Sequence, residues 1–160
     1  MDKLVSIITP TYNCGAFIGR TIESVQAQTY SNWEMIIVDD QSKDNTEEVV
    51  AAYAAKDARI HYHRLEQNSG AAVARTTAMQ LAQGSYMAFL DSDDIWLPEK
   101  LERQMSVLRK HPDAAFLFTG SAFIEDDGMT IAHVLHVPEK VSRKKLLKQN
   151  VISCSSVLIR

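Results

Sequence analysis

Three stretches of the chain share one design. LVSIIT at residues 4–9, WEMIIVDD at 33–40 and SYMAFLDSDD at 85–94 are nearly unbroken apolar runs that end in polar or acidic residues. A strand with one face in water alternates apolar and polar residues, whereas a strand covered on both faces has no need to. The runs therefore predict strands of a parallel sheet sandwiched between helices.

The intervening segments carry helix periodicity. Ile18, Ile22 and Val25 recur at steps of four and three, and Ala71, Ala74, Ala78 and Leu81 do the same, which marks two buried helix stripes. Another helix is expected to start at Asp44, a capping residue with Glu47 three positions on, and a further one at Pro98, running through Leu101, Met105 and Leu108. With a shorter strand in RIHYHRL, the order over residues 4–110 is β-α-β-α-β-α-β-α. Right-handed crossovers turn that order into a mostly parallel central sheet flanked by helices, an α/β fold.

Past His111 and Pro112 the pattern changes. AAFLFTG reads as a strand, AFIEDDGMTIAHVLHV as two strands about an Asp127-Gly128 turn, SRKKLLKQN as a short basic helix and SSVLIR as a last strand. Residues 1–111 form an α/β half and residues 112–160 a mixed or antiparallel part. The 160 residues are enough to bury one core without disulfide or metal support, so a single domain is expected.

Charge and cysteine usage narrow the function. There are 17 Lys and Arg against 20 Asp and Glu, a formal net charge of −3, so the basic excess of a nucleic-acid-binding protein is missing. Cys14 and Cys154 show no metal-ligand spacing and fit a reducing, cytoplasmic setting. The apolar run before Pro10 is too short for a signal-peptide core or a membrane span, so the mature chain is expected to begin at or near Met1.

In open α/β sheets ligands bind beyond the carboxyl ends of the strands. Four polar clusters fall there: PTYN, DDQS, EQNSG and DSDD. Neither GxGxxG after the first strand nor GxxxxGK[ST] anywhere is present, which argues against dinucleotide cofactors and P-loop chemistry. A phosphate-bearing ligand beside Asp91, Asp93 and Asp94 would meet repulsion of about 4 kcal/mol per pair of unit charges 4 Å apart at an effective dielectric near 20. A divalent cation must then stand between, and Asp91 and Asp93 offer the hard oxygen ligands that Mg²⁺ or Mn²⁺ takes. The plain alternative is that Asp91 and Asp94 cap the next helix.

Together these residues resemble the donor-binding, N-terminal portion of glycosyltransferase family 2, an inverting family with the GT-A (nucleotide-diphospho-sugar transferase) fold. VSIITPTYN, SVQAQTYSNWEMIIVDDQSKDNT, NSGAAVARTTAMQLAQGSYMAFLDSDDIWLPEKL and, more loosely, SSVLIR carry the resemblance over almost the whole chain. It implies a metal-dependent transfer, with inversion, from a UDP- or dTDP-linked sugar to a glycan or lipid-linked acceptor in surface polysaccharide synthesis. Carried over by position, Pro10, Thr11, Tyr12 and Asp40 hold the nucleotide base, with Asp39 as their neighbour. Asp91-Ser92-Asp93 becomes the family's DXD motif, its first part near the ribose and Asp93 on the metal, with Asp91 beside it. Arg75 matches a family arginine that approaches the nucleotide, and a surface salt bridge is its other reading. Many members read Arg-Asn where this chain has Arg75-Thr76, so no donor contact is assigned to position 76. The family's catalytic base follows the strand matching SSVLIR; the chain stops at Arg160, no base is assigned, and a piece of a longer enzyme is expected. Asp126 and Asp127 read as a hairpin turn and not as that base.

Two rival classes stay in view. A Mg²⁺-dependent phosphoryl-transfer domain would carry its key aspartate after the first strand, where this chain has TPTYN; a module that binds nucleotide-sugar without turnover has no such conflict. His61, His63, His133 and His136 lack partners at metal-ligand spacing and read as structural or surface residues, and Cys14 reads as a packing residue. Arg143, Lys144, Lys145 and Lys148 read as a solvated helix face, with weak peripheral contact to anionic lipid at the inner membrane face as the second reading.

Overall fold

The computed structural model describes residues 3–125 and 130–160. Eight strands and five α-helices follow in the order β1 (Val5–Thr11), α1 (Ile18–Gln26), β2 (Trp33–Asp39), α2 (Thr46–Ala54), β3 (Ile60–Arg64), α3 (Ala71–Leu81), β4 (Tyr86–Phe89), α4 (Lys100–Lys110), β5 (Phe116–Leu117), β6 (Ser121–Ile124), β7 (Ile131–Leu135), α5 (Arg143–Lys148) and β8 (Leu158–Ile159). A 3₁₀ turn, Cys154–Ser156, precedes β8. Six strands form one sheet in the order β3-β2-β1-β4-β8-β5. β1 pairs in parallel with β2 and β4, and β2 with β3, while β8 is antiparallel to both β4 and β5. The last strand thus lies inside the main sheet, and β6 and β7 form a separate antiparallel pair.

Every residue of β1 and β2 is buried, as their continuous apolar runs predict. One face of the sheet packs Val5, Ile7, Met35 and Ile37 against Ile18, Ile22 and Val25 of α1, Val50 of α2 and Leu101, Met105 and Leu108 of α4. The other face holds a smaller cluster, Ile8, Ile36 and Val38 under Ala74 and Ala78 of α3. The stripe on α3 is narrower than the sequence suggests, because it follows steps of four through Ala74, Ala78 and Ala82, with Met79 alongside. Ala71 and Leu81 fall to the sides of that line and are exposed.

Two helix starts depart from the sequence reading. At α2 the reciprocal capping box does not form: Asp44 accepts from Thr46 N at 3.1 Å and from Gly15 N at 2.9 Å, whereas Glu47 turns away to pair with Arg64. Helix α4 begins at Lys100, because the Pro98 carbonyl accepts from Thr29 N at 2.9 Å, outside any helical ladder. Asp91 and Asp94 therefore stand too far upstream to cap α4. In SSVLIR the strand is confined to Leu158 and Ile159, since Ser155 and Ser156 are drawn into the 3₁₀ turn by a Ser156 N to Ser153 O bond of 3.1 Å. The Asp126, Asp127 and Gly128 turn lies outside the described residues. Among the described residues no helix is long and apolar enough to cross a membrane.

Lys100 is buried, with its Nζ 2.9 Å from Gln104 Oε1 and 3.8 Å from the centroid of the Trp96 ring. Burial pushes the ammonium pKa down to about 7, while the negative face of the indole favours the charged form and opposes part of that shift. Between pH 7 and the ordinary value near 10.5 the unfolded chain binds more protons at this site than the folded one. Stability from this group therefore rises with pH across that window, and below it the full penalty of the buried charge is present. Thermal unfolding from pH 7 to 10 should show a steeper gain for the parent than for Lys100→Met; parallel curves would refute the assignment.

Candidate functional site

The sheet order reverses between β1 and β4: β2 and β3 lie on one side, β8 and β5 on the other. Such a reversal opens a crevice beyond the carboxyl ends of the two central strands. The loops after β1, β2, β3 and β4 converge on it; the first three are fixed by one another's side chains, and the fourth by residues of α1, α3 and the 3₁₀ turn.

The loops after β1 and β2 are laced together. Asn13 N donates to Ser42 Oγ at 2.8 Å, Lys43 N to Asn13 Oδ1 at 2.7 Å, and Cys14 N to Thr46 Oγ1 at 2.9 Å. Asn13 (φ 50°) and Gln41 (φ 67°) both adopt left-handed backbone, uncommon outside glycine but well tolerated by asparagine. Pro10 and Thr11 are buried in the strand, and the Thr11 hydroxyl has no hydrogen-bond partner. Tyr12 is 46% exposed on this pinned backbone, so of the three it is the one that offers a side-chain surface for stacking.

The two acids after β2 have different jobs. Asp39 is fully buried and spent on the fold: it accepts from Ser42 N (2.8 Å), Ser42 Oγ (2.7 Å) and the Tyr62 hydroxyl (2.6 Å). Burial first, and then the bond to Asp39, hold the Tyr62 phenol far above its usual range. Asp40 turns to the start of α3, with Oδ1 accepting from Ser69 N at 2.6 Å and Oδ2 from Gly70 N at 2.8 Å. Its carbonyl accepts from Asn68 Nδ2 at 2.8 Å. A carboxylate thus closes the amino end of α3, where free N–H groups and the helix dipole favour negative charge.

Helix α3 then carries Arg75 to the crevice, where Nη2 donates to Asp91 Oδ1 at 2.8 Å. Both side chains are half-buried, and the Arg75 Nε is buried without a partner. Of the two readings of Arg75, the salt bridge is present, and its partner is Asp91.

The acidic loop after β4 is divided three ways. Asp91 faces Arg75, and its N–H donates to Ser155 Oγ at 3.0 Å. Asp94 accepts from the same hydroxyl, and its carboxyl is pushed up by burial, with Asp93 and Asp91 adding and Ser155 opposing. Asp93 is exposed and takes no hydrogen bond or ion pair among the described residues. Ser92 is buried, its carbonyl accepting from Thr21 Oγ1 at 2.8 Å. Cys14 lies against Ser92 and is buried, which raises its thiol pKa and suits a packing residue.

Among the described residues no three His, Cys, Asp or Glu side chains converge as a metal-binding set. Asp93 and the second oxygen of Asp91 are the loop oxygens that could hold a hard cation. His61 is exposed and 3.8 Å from Glu34, and His63, His133 and His136 are exposed as well. Lys144, Lys145 and Lys148 are exposed along α5.

A solved mannosyltransferase from Pyrobaculum calidifontis, in complex with GDP-Man and Mn²⁺, is 25% identical and superposes with a TM-score of 0.67, covering 72% of this chain and 35% of its own. The mostly parallel six-stranded sheet flanked by helices is that of a GT-A fold. The family model "Glycosyl transferase family 2" matches residues 6–158, and the chain belongs to that family. A provisionally named teichuronic acid biosynthesis glycosyltransferase, TuaG of Bacillus subtilis, is 46% identical over 98% of this chain and 62% of its own length. The Escherichia coli UDP-Glc:α-D-GlcNAc-diphosphoundecaprenol β-1,3-glucosyltransferase WfgD is 42% identical over 99% and 60% respectively. The chain therefore spans about three fifths of the length of these two relatives.

Proposed function

We propose that this chain is the donor-binding portion of a metal-dependent, inverting glycosyltransferase. It takes a UDP- or dTDP-linked sugar and passes it to a glycan or lipid-linked acceptor in surface polysaccharide synthesis, on the cytoplasmic side of the membrane. The observation that carries the reading is the exposed, unpartnered Asp93 at the switch point, beside an Arg75–Asp91 pair that already balances one of the three loop charges. The UDP-sugar and lipid-linked acceptor in the name of the Escherichia coli relative support the substrate classes, and its nucleotide favours UDP.

In this reading Tyr12 stacks on the base, Asp40 accepts from a base N–H through lone pairs its two backbone donors leave open, and Pro10 and Thr11 form the floor. Asp91 and Ser92 lie toward the ribose, and Asp93, with Asp91, holds the cation. When bound, that cation neutralises the diphosphate and stabilises the departing nucleoside diphosphate. Arg75 orients the Asp91 carboxylate through their 2.8 Å ion pair, and its buried Nε keeps an unused donor. The base that deprotonates the acceptor hydroxyl is assigned to none of these residues. Calorimetric titration with UDP tests the proposal. Affinity should rise at least tenfold when Mn²⁺ replaces EDTA, and equal affinity in both would overturn it.

A further inference from the structure

The acidic loop is bracketed from both sides, and the second bracket comes from the far end of the chain. Ser155, in the 3₁₀ turn before β8, is buried. Its hydroxyl accepts from Asp91 N at 3.0 Å and donates to the Asp94 carboxylate, so one oxygen joins both ends of the loop. Its carbonyl accepts from Trp96 Nε1 at 2.8 Å, and the neighbouring Ser156 carbonyl accepts from Gln104 Nε2 at 3.0 Å. The turn is therefore held to Trp96 in the segment before α4 and to Gln104 of α4, and through β8 to β4, whose end delivers Asp91.

Three carboxylates within four positions repel one another, and a flexible loop would relax by spreading them into solvent. Here Asp91 is tied to Arg75 and Asp94, though exposed, to Ser155, which leaves Asp93 as the loop carboxylate without a hydrogen-bond or ion-pair partner among the described residues. A group that fixes the backbone and the flanking side chain of a metal-binding carboxylate tunes affinity without touching the metal.

We propose that Ser155 is the positioning residue of the cation site: by bridging the Asp91 amide and the Asp94 carboxylate, it sets the loop geometry that presents Asp93 to a cation shared with the donor diphosphate. This rests on the donor-binding reading above. Ser155 acts only through the loop, so its removal should be felt most where the cation is and far less at the ribose, which Asp91 also faces in this reading, or at the base.

Titration of the chain with UDP plus Mn²⁺, and separately with uridine in EDTA, distinguishes the cases. Ser155→Ala is expected to weaken Mn²⁺-supported UDP binding about tenfold or more and to leave uridine affinity within about twofold, since uridine lacks the diphosphate. Ser155→Thr keeps the hydroxyl and should hold UDP affinity within about threefold of the parent. Parent-like UDP affinity in a folded Ser155→Ala would overturn the proposal, as would equal losses of UDP and uridine, which mark a general structural role. A tenfold loss of UDP affinity in Ser155→Thr would overturn it too, even if the alanine variant failed to fold. If the parent itself gains nothing from Mn²⁺, the donor-binding reading falls first and takes this inference with it.

Discussion

Asp93→Ala should abolish the Mn²⁺-supported part of UDP binding, a loss of at least about a hundredfold, while the melting temperature stays within about 2 °C of the parent. The two halves of this result have separate causes. Asp93 has no hydrogen-bond or ion-pair partner among the described residues, so its removal breaks neither kind of bond and lessens the repulsion that bears on its neighbour Asp94. The cation, by contrast, loses the one loop carboxylate not already engaged, and the phosphate charges then face Asp94 without compensation, Asp91 being paired with Arg75. At an effective dielectric near 20 each such unit-charge pair at 4 Å is worth about 4 kcal/mol, so a hundredfold effect, about 2.7 kcal/mol, needs only part of one interaction. Calorimetry with UDP and Mn²⁺, beside a thermal melt, measures both halves. Unchanged UDP affinity would remove Asp93 from the site, and a large fall in melting temperature would mean that it serves the fold.

Asp40→Ala should show the reverse balance, a large cost to stability with weaker binding as its companion. The Asp40 carboxylate accepts the backbone N–H groups of Ser69 and Gly70, and it is buried. Hydrogen bonds to charged groups contribute about 1.5 to 3 kcal/mol each, and truncation leaves two donors without an acceptor at the amino end of α3. A destabilisation of about 3 kcal/mol follows, which for a domain of this size lowers the melting temperature by roughly 6 to 12 °C. Asp40→Asn is nearly isosteric, but its amide nitrogen would face one of the two N–H groups, donor against donor, so it should recover no more than about half of the loss. Melts of the two variants give the comparison. A melting temperature within about 2 °C of the parent for Asp40→Ala would show that these bonds contribute little.

How much of this was legible beforehand depends on the range over which each interaction acts. Continuous apolar runs announced β1 and β2 because burial on both faces acts on every residue of a strand, and the three-four spacing of Ile18, Ile22 and Val25 announced α1 for a similar reason. The chemistry at the carboxyl ends was legible as composition: acids and small polar residues where a crevice must open. The partners of those acids were not. Glu47 had the spacing for a capping box, yet Arg64 offered a full charge from the adjacent strand. Asp91 and Asp94 had the composition of helix caps, yet Ser155, more than sixty positions away, took both ends of their loop. A serine in SSVLIR looks like any strand residue, because a bond between distant segments leaves no periodic trace in either. The likeness to a known family supplied roles for Asp40, Asp93 and Arg75 by position, but it said nothing of Asp40 holding the start of α3.

The place of β8 between β4 and β5 also bears on the order in which the molecule is made. Strands β1 to β4 follow one another in the chain and assemble side by side, so they can form while the rest is still being synthesised. The outer edge of β4 stays unpaired until Leu158 and Ile159 emerge to cover it. Ser155 emerges only just ahead of that strand, so on the ribosome the nascent α/β half carries an acidic loop without its brace and an open strand edge that invites mispairing.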